Sequence, residues 1–116
     1  MFERSHRDIQ IVLEIVTSIE KIETFMSPFT QADEWFADTR SFDAALMNFI
    51  VIGECVLRLL EGFKEAHGNI PWSKVKRFRN LIAHDYFGID AEEVWQIAKH
   101  HLPALKQNLQ QILALQ

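Results

Sequence analysis

The sequence is poor in the residues that make cross-links, turns and membrane spans. Its 116 residues hold one cysteine, three prolines and four glycines. A lone cysteine, Cys55, cannot form an internal disulfide, so the fold must rest on its core and a reducing cytoplasm is the expected compartment. So little proline and glycine leaves few turns, and most of the chain is expected in a few long elements. Long apolar runs are missing too. The most apolar stretch, Ala44 to Gly53, contains Asn48 and runs into Glu54, which is too short and too polar to span a bilayer. Met1 to Asp8 are charged and lack an apolar core segment, so neither a secretory signal nor a membrane partner is expected. Strand-like alternation, internal repeats and low-complexity linkers are also absent. What remains, 48% hydrophobic and 24% charged residues, is the balance of a globular protein. The length fits one domain over residues 1–116.

Net positive charge is lacking as well. At −4 overall, the chain has no long-range pull on a phosphate backbone, which argues against a nucleic-acid-coating role. The charge is uneven, however: Lys74, Lys76, Arg77 and Arg79 form a basic run with no acid among them. Alone, such a run is more often a solvated helix face than a ligand site.

Apolar residues at Ile9, Val12, Ile15, Val16, Ile19, Ile22 and Met26 follow three-and-four spacing and predict a first long helix, stopped by Ser27-Pro28. A short helix over Gln31 to Ala37 should follow, with Thr30 as its cap and Asp33 as the capping-box partner. A second long helix is expected from Asp38–Ser41 to about Ala66. It is apolar around much of its circumference and hence central, and Gly53 in its middle marks a close backbone approach. Pro71 suits the first turn of a third long helix, Trp72 to about Tyr86, ended by Gly88. Asp90 and Glu93 should open a last helix, Ala91 to Gln116, that Pro103 kinks or splits. The predicted fold class is all-α: an up-and-down four-helix bundle with one extra short helix.

Chemistry concentrates between Lys76 and Tyr86, where Arg, Asn, His, Asp and Tyr share a helix whose core stripe is already filled by Phe78, Leu81 and Ile82. His84 has no partner at zinc spacing, and there is no phosphate-cradling glycine loop and no Ser or Cys set against a base, so neither metal nor cofactor is expected. Such a set can do proton transfer and anion stabilisation. Histidine exchanges a proton near neutral pH and arginine holds phosphate oxygens in a planar fork. Together they fit cleavage of RNA by its own 2′-hydroxyl, with Lys74, Lys76 and Arg77 as RNA-binding residues. On an ideal helix Arg79 and His84 stand roughly 140° apart, whereas Asn80 and His84 share a face. Two copies facing each other could present both pairs to one phosphate.

The segment Arg79-x4-His84-x-Tyr86 resembles the R-x4-H-x-Y motif of HEPN-domain toxins of the HepT kind. Asn48-x4-Gly53-Glu54 resembles that family's N-x4-GE element. Ile70-Pro71-Trp72 resembles the start of its motif helix, Asp85-Tyr86-Phe87-Gly88-Ile89-Asp90 the segment that follows, and Val94-Trp95 and Leu102-Pro103-x-Leu105 fall where similar residues occur. The resemblance spans nearly the whole chain. It implies a metal-independent endoribonuclease toxin of a type VII toxin–antitoxin pair. Such a protein is a homodimer with Arg79 and His84 catalytic, its partner being a minimal nucleotidyltransferase antitoxin that adds AMP to the motif tyrosine, Tyr86. Asn80 and Glu54 are candidate supporting residues.

Each residue also has a plainer reading. Arg79 could only pair with a carboxylate such as Glu54, His84 could sit on a helix dipole, Tyr86 could be a rim aromatic, and Asn80 could bridge helices. His100 and His101, adjacent and so pointing apart on a helix, read as surface; His6 and His67 read as unremarkable. Cys55 reads as a packed thiol, and Trp35, Trp72 and Trp95 as core or dimer anchors. The alternative to an enzyme is a nucleotide- or substrate-binding subunit of a two-component nucleotidyltransferase, or a bundle that serves only as an interaction module.

Overall fold

A computed structural model describes residues 2–116, and the side chains of all of these except 2–5 and 83–85. The described chain is all-α, as the apolar spacing predicts. Its helices are α1 (Phe2–Met26), α2 (Ala32–Ala37), α3 (Thr39–Arg58), α4 (Glu61–Ala66), α5 (Trp72–Asp85), α6 (Ala91–Gln96) and α7 (Leu102–Ala114). A 3₁₀ turn, Tyr86–Gly88, follows α5, and a π-helical turn, Ile97–His101, joins α6 to α7. No described helix is long and apolar enough to cross a membrane.

Packing runs from α7 to α1, from α1 to α3 and from α3 to α5. Three sides of a four-helix bundle are thus closed by helix–helix contact. The central α3 buries Phe42, Ala45, Leu46, Phe49, Ile52 and Val56, the wide apolar surface expected of it. Trp35, fully buried, holds α2 in place with edge-on contacts to Phe42 at 5.1 Å and Trp95 at 5.7 Å between ring centres. Trp35, Trp72 and Trp95 are all buried within this chain, so they are core anchors. Cys55 is buried as well, its thiol donating to Glu14 at 3.6 Å. Burial and the Glu14 carboxylate push that thiol up to about 11, which leaves it protonated and unreactive at neutral pH.

Three boundaries differ from the sequence reading. The second long helix does not reach Ala66: it stops at Arg58, and Leu59 and Leu60 are extended, with ψ of 142° and 145°. The first helix supplies the reason. Arg7 donates to the Arg58 carbonyl at 2.9 Å, and the Leu60 N–H donates to Asp8 at 3.3 Å. These contacts satisfy backbone groups that a break would otherwise strand. At the short second helix, Thr30 bonds Glu34 rather than Asp33: its N–H donates to the Glu34 carboxylate at 3.1 Å and its hydroxyl at 2.7 Å. Both bonds hold the Glu34 carboxyl below the usual carboxylate range. The last helix is interrupted before Pro103, where the chain widens into the π turn and the Leu102 N–H reaches back to the Ile97 carbonyl. Proline has no N–H to offer the Lys99 carbonyl, so the wider turn absorbs the mismatch. The start of this helix is as expected, with Asp90 accepting from the Glu92 and Glu93 N–H groups.

Gly53 does mark a close approach. A Cβ added there would lie 2.7 Å from the Arg79 Cβ and 3.2 Å from the Lys76 carbonyl oxygen, whereas one added at Gly62 meets nothing within 4 Å. Gly53→Ala should therefore force α3 and α5 apart and cost about 1–3 kcal/mol. Gly62→Ala, in the exposed α4, should be stabilising by up to about 1 kcal/mol through helix propensity. Urea unfolding of both variants beside wild type checks the pair; equal stability of the two would mean that the helices are not held this tightly.

Candidate functional site

The motif helix α5 is built against α3. Trp72 anchors its start: the indole N–H donates to the Lys64 and His67 carbonyls, each at 3.1 Å, tying α5 to the end of α4. Phe78 meets Phe49 edge-on at 5.4 Å, and Val75 and Ile82 complete the buried stripe. With the apolar face committed, the polar motif residues are left on the flanks, and they divide into two groups.

The first group faces α3. The Arg79 guanidinium pairs with the Glu54 carboxylate, one residue past the glycine that admits its backbone. Both side chains remain about half exposed, at 43% and 48%, so this is a surface ion pair worth no more than about 1 kcal/mol. Three turns earlier on α3, Asp43 accepts a hydrogen bond from the Tyr86 hydroxyl at 3.0 Å. Asp43 and Glu54, eleven positions apart, fall on the same side of α3 at a separation of roughly 16 Å along its axis. Between and beyond them lie Met47 and Leu57, exposed at 60% and 48%, and next to Tyr86 the ring of Phe87 is almost wholly exposed. The face that carries Arg79 and Tyr86 is thus a mixed one, with apolar side chains open to solvent among its charges. His84 belongs to α5 by its backbone, but its side chain lies outside the described residues.

The second group faces the opposite way. Lys74, Arg77 and Asn80, at successive three-residue steps, line a cleft of about 780 Å³ between α5 and the α6–α7 segment. The basic run is therefore split by the helix: Lys74 and Arg77 border the cleft, Lys76 is exposed away from it, and Arg79 is held by Glu54. Asn80, expected beside His84, borders this cleft, and so do His100 and His101 on the far wall. Those histidines are exposed, as the sequence suggests, and both border this one cleft. They lie in the π turn, where each residue advances by a smaller angle than in an α-helix. Nothing in their spacing signals this; Pro103 two residues on is the sole hint. Asn48, the first residue of the N-x4-GE element, spends its amide on the Ala44 carbonyl at 2.9 Å and joins neither group.

The bond to Asp43, and the charge of Asp43, raise the Tyr86 phenol above its usual value. Since the neutral hydroxyl is the form favoured in the fold, this contact is complete below the ordinary phenol pKa and is lost as pH rises through the raised one. Tyr86 is the one tyrosine in the sequence, so tyrosinate absorbance against pH reads it alone. Asp43→Asn should shift that titration to lower pH; an unmoved curve would show that the hydroxyl does not engage Asp43 in solution.

Comparison with known proteins places the chain in a family. The sequence profile of the family described as "Ribonuclease HepT-like" matches residues 15–112. A Thermococcus cleftensis protein named "Probable ribonuclease HepT" is 33% identical over 104 residues, covering 90% of this chain and 92% of that one. A Methanocaldococcus jannaschii protein named "Gamma-glutamylcyclotransferase and putative RNase" is 32% identical over 108 residues, and the chain spans 48% of its length. A second protein of that organism, named "Putative RNase", is 30% identical over 108 residues and is covered to 88%. No solved structure matches the chain at comparable significance. A profile running from the middle of α1 to the end of α7, with relatives aligned over nine-tenths of the chain, establishes that this protein belongs to the HepT-like ribonuclease family.

Proposed function

We propose that the protein is a metal-independent endoribonuclease toxin. In this reading it works as a homodimer with Arg79 and His84 from both copies at one cleft, and a minimal nucleotidyltransferase antitoxin silences it by adding AMP to Tyr86. The observation that carries this reading is the single α3 face onto which Arg79 and Tyr86 converge, through Glu54 and Asp43. Met47 and Leu57 are exposed on the same face and would be covered by a second copy. Two α5 helices brought together there would pool two arginines and two histidines, which one copy presents at a wide angle.

The chemistry assigned to these residues is transesterification. The 2′-oxygen of one nucleotide attacks its own phosphorus as a base takes the hydroxyl proton, and the 5′-oxygen of the next nucleotide leaves as an acid returns a proton. His84 supplies acid–base exchange, and Arg79 stabilises the extra negative charge of the phosphorane. Arg79 must exchange its carboxylate partner for a phosphate, and an exposed pair worth about 1 kcal/mol or less permits that. Glu54 then acts as a placeholder that orients the guanidinium before RNA arrives. The names of the relatives, three of them given as ribonucleases, support the same activity.

Arg79→Ala and His84→Ala should each lower RNA cleavage by at least about a hundredfold with melting temperatures close to wild type. Alanine retains the Cβ that sets the α3–α5 spacing, so little packing is lost. Cleavage should persist in excess chelator. Gel assays on a defined RNA, with thermal melts alongside, test this; full cleavage by the His84 variant would end the role given to His84, and no cleavage by wild type would favour a substrate-binding subunit.

An AMP group on Tyr86 would place a phosphate beside Asp43 and a bulky base along the same α3 face, blocking a second copy or the strand. Tyr86→Phe should fold and cut RNA yet gain no AMP mass when incubated with its nucleotidyltransferase and ATP, while wild type gains one or more units. Equal labelling in intact-mass spectra would place the modification elsewhere.

A further inference from the structure

The cleft between α5 and the α6–α7 segment lies on the opposite flank of the motif helix from Arg79, and the reaction above gives no step to the described residues that line it. We propose that it is a binding site for one nucleotide unit, seating a base on its apolar floor and a phosphate on its basic edge. The proposal rests on the ribonuclease reading for its natural source, a single RNA strand, but its chemistry stands on the cleft alone.

The volume, about 780 Å³, is within the range that encloses a small organic ligand. The fourth side of the bundle is open here because α5 packs on α3 rather than on α7. Its floor is apolar, with Phe78 and Leu105 buried beneath and Leu81 and Ile97 half-buried at the sides. Around that floor the described polar groups are nearly all donors or amides. Lys74 and Arg77 stand one turn apart on α5, and neither has a carboxylate partner among the described residues, unlike Arg79. Facing them, His100 and His101 are both brought to the cleft by the π turn, a local irregularity that recurs at functional sites. Asn80 and Asn108 stand on opposite walls, and a side-chain amide offers both a donor and an acceptor, the pairing that base edges require. Glu93 is the single carboxylate on the lining among the described residues; it can accept from a ribose hydroxyl or an exocyclic amine. An apolar peptide would leave these donors unpaired. A planar base with an attached phosphate satisfies the floor and the rim together.

The test uses the full chain and a fluorescein-labelled single-stranded RNA carrying 2′-O-methyl groups throughout, which cannot be cleaved through its 2′-oxygen. Ala104→Trp fills the cleft from an exposed lining position, and Arg77→Ala removes one edge charge; neither touches Arg79 or Glu54. Fluorescence anisotropy should show each variant binding at least about tenfold more weakly than wild type. Arg77→Ala should also flatten the salt dependence by about 0.7 in the log–log slope expected for one lost phosphate contact on a single strand. Should Ala104→Trp melt early, Asn108→Ala takes its place. Competition with AMP separates the sources: displacement by AMP gives the cleft to a free nucleotide as well as to RNA, and binding that AMP does not displace gives it to the strand. Folded variants that bind like wild type, or a wild type that does not bind the strand, would overturn the proposal. The two readings fail separately. Variant-sensitive binding with no cleavage of ordinary RNA would sink the ribonuclease reading alone, and cleavage with variant-insensitive binding would sink the cleft alone.

Discussion

The distance between α3 and α5 at Gly53 is the constraint on which the rest of the molecule depends. Only a residue without a Cβ lets the Arg79 backbone settle against α3 here, and glycine within a helix costs about 1 kcal/mol relative to alanine. That cost is recovered in position. With the backbones this close, Glu54 on the next residue reaches the Arg79 guanidinium, Phe49 meets Phe78 edge-on, and the Tyr86 hydroxyl at the far end of α5 arrives at Asp43. A wider spacing would separate all three contacts at once. The Gly-Glu pair on one helix and the arginine on the other thus form a single structural unit.

Two interruptions of helical regularity shape what lies around that unit. The break at Leu59–Leu60 ends α3 soon after Glu54 and turns α4 aside, where its carbonyls can receive the Trp72 indole and fix the start of α5. The π turn before Pro103 does the corresponding work on the other side, turning His100 and His101 onto the cleft. In both places backbone groups leave the ordinary helical ladder, and in both the loss is limited: by Arg7 and Asp8 from α1 at the first, and by the longer-reaching Leu102 N–H at the second.

Charge is partitioned with equal consequence. The chain is acidic overall, yet α5 carries cations on both flanks, and among the described residues only Arg79 is neutralised, through an exposed pair that solvent keeps weak. Weakness is useful there: a buried Arg–Glu pair would cost several kcal/mol to open, and a phosphate could not compete with it. The Lys74 and Arg77 side, by contrast, carries its charge beside apolar surface, where the lower local polarity strengthens an interaction with an anion.

Much of this was legible in the amino-acid order, for a definite reason. Helix type, the stops at Ser27-Pro28 and Gly88, the cap at Asp90, the buried tryptophans and the inert Cys55 all follow from local periodicity and backbone chemistry, which act within a few residues. Gly53 as a point of close approach was legible too, because a helix tolerates the cost of an interior glycine mainly where a neighbouring backbone needs the room. The motif order Arg79, His84, Tyr86 singled out α5 as the candidate functional helix because so many polar side chains exceed what a helix's solvent face needs. What sequence could not reach were outcomes set by groups far apart along the chain. The second long helix ends at Arg58 because Arg7 and Asp8, some fifty positions earlier, donate and accept where the helix would have continued. Asn80 sides with Lys74 and Arg77 rather than with the α3 face because the packing of Phe78 on Phe49 fixes the rotation of α5 about its own axis. His100 and His101 border one cleft from a π turn before Pro103, and a wider turn was only one of the ways a proline without an N–H could be answered. Sequence determined which residues are the candidates for the chemistry; the rotation and interruption of the helices decided which of them meet.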